Sequence, residues 1–138
     1  MSYWLLPARN DQEALEQLSA LALQDVGACT LPPHITLHSE TLDRDRGASH
    51  EHVIDRLKQL ADCHQPVQLW PKAIEASPMY TQSLVLRFNA ESRTALLSLT
   101  SQLCQGSTAE FRDRLDPHLS LVYSQDTLKR RLELARRL

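Results

Sequence analysis

The spacing of apolar positions changes along this chain, and each change marks an element. Residues 2–7, SYWLLP, form a short apolar run with two aromatics closed by Pro7, which predicts a strand. Residues 10–27, NDQEALEQLSALALQDVG, place Leu15, Leu18, Leu21 and Leu23 at helical spacing behind an Asn10 or Asp11 cap, with Gly27 as the stop. HITLHS, residues 34–39, alternates as a strand. After the polar loop of residues 40–48, Ser49 is placed to cap a helix over residues 50–64, with Val53, Ile54, Leu57, Leu60 and Ala61 as its apolar positions.

The second half repeats the alternation. PVQLWPKAIEA, residues 66–76, is apolar but broken by Pro71, which predicts a kinked or edge strand because proline cannot donate to a ladder. SLVLRF (83–88) predicts a strand, residues 91–105 a helix ending at Gly106, residues 106–116 a loop, HLSLVYS (118–124) a strand, and residues 125–138 a basic helix. Alternating helices and strands admit a parallel doubly wound sheet. The strands, however, alternate in polarity rather than running continuously apolar, which favours an α+β domain with largely antiparallel sheets and helices on the outer faces.

Size and charge narrow the class. A chain of 138 residues supports one domain, taken as residues 1–138. Fifteen Lys and Arg against seventeen Asp and Glu leave a net charge of -2, so there is no general attraction for nucleic acid or anionic lipid and any phosphate chemistry must be local. No stretch is apolar enough to span a bilayer and the N-terminus lacks a signal pattern, so a cytoplasmic location and no membrane partner are expected. Cys29, Cys63 and Cys104 are scattered and read as reduced thiols without function. With three glycines the chain has no phosphate-binding glycine loop.

The chemistry lies in a repeated pattern. PPHITLHS (32–39) and DPHLSLVYS (116–124) both read Pro-His-apolar-hydroxyl-Leu. One such His-x-Thr on a half-exposed strand means little, but this extended pattern occurs by chance roughly once in thousands of chains, and twice far more rarely. Alternation puts His34, Thr36 and His38 on one strand face and His118 with Ser120 on another. The α-carbons of imidazole and hydroxyl in each motif are then roughly 6.5 to 7 Å apart, so both side chains reach one tetrahedral anion.

Two imidazoles across a cleft serve as general acid and general base near neutral pH, and Thr and Ser hydroxyls donate to non-bridging oxygens whose charge builds in the transition state. Those four groups suit hydrolysis of a cyclic phosphodiester without metal, cofactor or covalent nucleophile. A zinc site is the rival, given six histidines. His34 and His38 lie roughly 13 Å apart on a strand, too far to share an ion, and His50 with His52 is a weak metal signal.

These motifs resemble the paired H-x-T/S signatures of the 2H phosphoesterase superfamily. Together with SYWLLP and TQSLVLRF they look most like its cyclic phosphodiesterase branch, over residues 2 to about 125. The resemblance implies a bilobal α+β fold, with two antiparallel sheets related by a pseudo-twofold and the motif strands facing each other across a central cleft. It implies His34 and His118 as acid and base, Thr36 and Ser120 as phosphate ligands, and Trp4 and Tyr123 as aromatics at the nucleotide end. Simple alternation puts Tyr123 opposite His118 and Ser120 unless the strand bends there.

The activity implied is hydrolysis of a 2',3'-cyclic nucleotide or of ADP-ribose 1'',2''-cyclic phosphate to a monophosphate. The alternatives are RNA 3'-end processing by the same chemistry, or a non-catalytic module binding RNA ends or nucleotides through basic residues 129, 130, 131, 136 and 137. Family members usually continue into a further strand beyond the last helix seen here. An open sheet edge in its place could be filled by a second copy, giving a homodimer. His38, a third imidazole beside the first motif, is expected at the cleft rim.

Overall fold

The computed structural model describes residues 2–39, 50–105, 108–112 and 115–138. The Ser49 cap, the loop 40–48 and the Gly106 stop lie outside the described residues, as do the side chains of His50 and His52. The described strands are β1 (Ser2–Leu5), β2 (Ala28–Cys29), β3 (Ile35–Ser39), β4 (Pro71–Ala76), β5 (Leu84–Phe88) and β6 (His118–Ser124). The helices are α1 (Arg9–Leu23), α2 (His50–Cys63), α3 (Ala90–Cys104), α4 (Thr108–Arg112) and α5 (Leu128–Ala135). None of the described helices is long and apolar enough to cross a membrane.

The fold is α+β and the sheet antiparallel throughout, in the order β1-β3-β6-β5-β4, with β2 pairing the far end of β6. The two sheets that the resemblance implies are two halves of one six-stranded sheet. One half is β1 with β3, the other β6 with β5 and β4, and they meet at a single residue pair, Ile35 with Leu119. The motif strands therefore adjoin side by side rather than face one another.

Alternation explains the core. Ile35, Leu84, Leu86, Leu119, Leu121 and Val122 pack with Ala22 of α1, Leu96 and Leu103 of α3 and Leu134 of α5. Leu84, Leu121 and Val122 are fully buried, each contributing about 1.5 to 3 kcal/mol by leaving water. Pro71 opens β4 at the sheet edge, where its missing N–H costs no ladder bond.

Some boundaries differ from the pattern. The N-cap of helix α1 is Ala8, two residues before the earlier of the two expected caps, and gives no side-chain cap, so Asn10 and Asp11 fall in the first turn instead. Part of the expected loop at 106–116 is the short helix α4, and β2 is too short to leave a periodic signal. At the end of α3 the left-handed residue is Gln105, with φ of 53°, rather than a glycine.

Candidate active site

Each motif begins with a proline that fixes the approach to its histidine. Proline restricts the residue before it to extended conformations. In both motifs the carbonyl of that residue meets the imidazole two positions on: His34 Nδ1 lies 2.8 Å from the Pro32 oxygen and His118 Nδ1 lies 2.7 Å from the Asp116 oxygen. A carbonyl only accepts, so Nδ1 carries the proton in both rings, and each Nε2 is left to exchange a proton elsewhere.

The register interleaves the motifs. Antiparallel pairing of Ile35 with Leu119 sets His34 beside Ser120 and Thr36 beside His118 on the face opposite the core. The imidazoles thus occupy one diagonal of a four-residue square and the hydroxyls the other. Strand spacing and rise put the two histidine α-carbons roughly 8 Å apart, which leaves room for one tetrahedral anion between the rings. By strand spacing, the α-carbon of the hydroxyl residue nearest each histidine belongs to the other motif, not its own.

Both motif strands carry a β-bulge at the same place. Along β1 and β3 the pairing steps from Trp4 with Thr36 to Tyr3 with His38, which leaves Leu37 over. Along β5 and β6 it steps from Val85 with Ser120 to Leu84 with Val122, which leaves Leu121 over. An extra residue reverses the alternation beyond it. His38 therefore turns to the core side, where its ring lies 6.2 Å from Tyr3 and 5.9 Å, edge-on, from Phe111. The expectation that it shares the face of His34 and Thr36, at the cleft rim, does not hold. The same reversal returns Tyr123 to the face of His118 and Ser120.

The four groups differ in setting. His34 is 8% exposed and stacks on Trp4, with ring centroids 3.9 Å apart and planes 19° apart. Trp4 itself is the cross-strand neighbour of Thr36. Ser120 is 9% exposed and its hydroxyl donates to the Thr81 carbonyl at 3.0 Å, so it must swing from that bond to serve an anion. Thr36 is half-buried, and its hydroxyl has no hydrogen-bond partner among the described residues. Tyr123 pairs with Cys29 of β2, and its ring lies 6.0 Å from Tyr80.

Around His118 lies a charged network that the motifs did not reveal. Arg87, its cross-strand neighbour on β5, donates to Asp116 at 2.6 Å, to Gln82 at 3.0 Å and to Glu75 at 3.2 Å. Gln82 donates in turn to Asp116 at 2.9 Å, and that carboxylate lies 3.8 Å from His118 Nδ1. Burial alone would raise the Asp116 carboxyl, but the hydrogen bonds from Arg87 and Gln82 and the charges of Arg87 and His118 hold it below its ordinary value. The available signal was an arginine inside an otherwise apolar strand. Arg131, counted among the basic residues free to meet RNA, is 6% exposed and points inward to the carbonyls of Ser77 and Met79.

The model of the 2'-5' RNA ligase superfamily matches residues 6–138, a span that takes in both motifs. The chain belongs to that superfamily. No curated protein matches it. Membership in the 2'-5' RNA ligase superfamily, the 2H phosphoesterases, brings phosphodiester hydrolysis or ligation as the chemistry of the group.

Proposed function

We propose that the chain hydrolyses a ribose cyclic phosphodiester, a 2',3'-cyclic nucleotide or ADP-ribose 1'',2''-cyclic phosphate, by paired-histidine acid and base catalysis with no metal in the reaction. The observation that carries this reading is the interleaved square, with two anchored imidazoles on one diagonal and Thr36 and Ser120 on the other. One neutral Nε2 takes a proton from water as its oxygen bonds to phosphorus. The opposite Nε2, protonated, gives its proton to the ribose oxygen as the phosphorus–oxygen bond to it breaks. Diagonal placement suits in-line displacement, and the two hydroxyls are placed to hold non-bridging oxygens as charge builds on them.

Incubation with adenosine 2',3'-cyclic phosphate in EDTA tests this reading. A single regioisomer of the monophosphate is the expected product, because only one ring oxygen lies in line with the acid. Equal amounts of the 2' and 3' isomers, or activity that needs added divalent metal, would overturn it. The family's description favours a second reading, action at an RNA end by the same groups run in either direction. Oligonucleotides ending in a cyclic phosphate would then outcompete mononucleotides in the same assay.

A further inference from the structure

The two aromatics expected to share the nucleotide end are far apart. Trp4 sits two strands from β6, level with His118, whereas Tyr123 lies beyond Ser120 along β6. Strand spacing and rise put their α-carbons roughly 16 Å apart, too far to line one base. One face of the Trp4 indole is already covered by the His34 ring at 3.9 Å.

At the Tyr123 end stands a turn with unusual exposure. Met79 is 55% and Tyr80 48% exposed, yet the backbone beneath them is pinned on every side. Ser77 Oγ donates to the Gln82 carbonyl at 3.0 Å and accepts from the Met79 amide at 3.1 Å. Ser83 Oγ donates to the Tyr80 carbonyl at 2.7 Å and accepts from the Ser124 amide at 2.9 Å. The buried Arg131 donates to the Ser77 carbonyl at 2.6 Å. A fixed turn that holds a thioether and a phenol in solvent offers flat, preorganised apolar area at low entropic cost. The Tyr80 and Tyr123 rings lie 6.0 Å apart with planes tilted by 46°, Tyr123 shares the face of Ser120, and the Thr81 carbonyl of the same turn accepts the Ser120 hydroxyl. The neighbouring Cys29 thiol, 3.5 Å from the Tyr80 oxygen, pushes that phenol's pKa up.

We infer that the substrate's nucleobase stacks at the Tyr80 and Tyr123 end, on the turn of residues 77–83, and that Trp4 is a positioning residue for His34. This rests on the phosphodiester reading above, and it adds Tyr80 as the residue that selects for a base. The substrate is then a nucleotide whose base extends past Ser120, away from Trp4.

The test compares adenosine 2',3'-cyclic phosphate with glycerol 1,2-cyclic phosphate, which has the ring but no base. Tyr80→Ala is expected to cut the preference for the nucleotide, as the ratio of kcat/KM values, by about tenfold, the order that one base-stacking contact contributes. Trp4→Ala is expected to lower kcat on both substrates by a common factor, with Trp4→Phe restoring it, and to leave the ratio alone. A ratio unmoved by Tyr80→Ala, or one that falls in Trp4→Ala, overturns the inference while the phosphodiester reading stands. Wild-type protein that turns over neither substrate overturns both.

Discussion

Replacing Arg87 with methionine removes three hydrogen bonds at once while keeping most of the side chain's apolar stem. The bonds run to Asp116 at 2.6 Å, to Gln82 at 3.0 Å and to Glu75 at 3.2 Å. Arg87 is 21% exposed, but both carboxylates are 54% exposed, so water screens these pairs and the loss is about 1 to 2 kcal/mol rather than the sum for buried pairs. An unfolding entropy of about 2.1 cal/mol/K per residue over 138 residues converts this to a fall in Tm of roughly 3 to 7 °C at pH 7.

The pH dependence carries the sharper information. Asp116 titrates below its ordinary value in the fold, so its share of stability is fully present above the unfolded carboxyl pKa of about 3.9 and is lost as pH falls through the folded value. Without Arg87 that share largely disappears. Thermal unfolding of both proteins from pH 7 down to pH 3 should therefore show the gap in Tm narrowing below about pH 4. A gap that stays constant, or widens in acid, would refute the idea that Arg87 acts through the Asp116 charge.

Two further predictions concern stability alone. Ser83→Ala leaves the buried Ser124 amide without its 2.9 Å partner and should cost about 1 to 3 kcal/mol in denaturant unfolding, whereas Thr100→Val, which gives up a 3.5 Å bond to the Leu37 carbonyl, should cost less than about 1 kcal/mol. Equal costs would count against the pinned turn. Gln105→Gly should stabilise by about 1 kcal/mol, because φ of 53° suits glycine, and a loss of stability in the same experiment would contradict this.

The sequence showed the groups of the site but not their arrangement. Pro-His-x-Thr and Pro-His-x-Ser identify themselves through residue type and spacing, and alternation correctly opposes His34 and Thr36 to Ile35. What a pattern of period two cannot carry is a break in its own phase. The bulge at Leu121 left a trace, since Leu121 and Val122 are consecutive apolar residues in an alternating strand, and that trace moves Tyr123 to the site face. The bulge at Leu37 left little, and simple alternation puts His38 on the wrong face for that reason. Strand pairing is not local either. Which hydroxyl serves which imidazole depends on the Ile35–Leu119 register, and the partners of Arg87 come from three separate segments.

The most direct test of the two-histidine site is turnover of a 2',3'-cyclic nucleotide in EDTA, followed by phosphorus NMR, for the wild type and for His34→Ala and His118→Ala separately. If the two imidazoles act as one acid and base pair, each substitution alone lowers kcat by about 10²-fold or more, with the double variant falling little further, because a pair that works in concert fails when either member is lost. Wild-type-like turnover in either single variant would contradict the account.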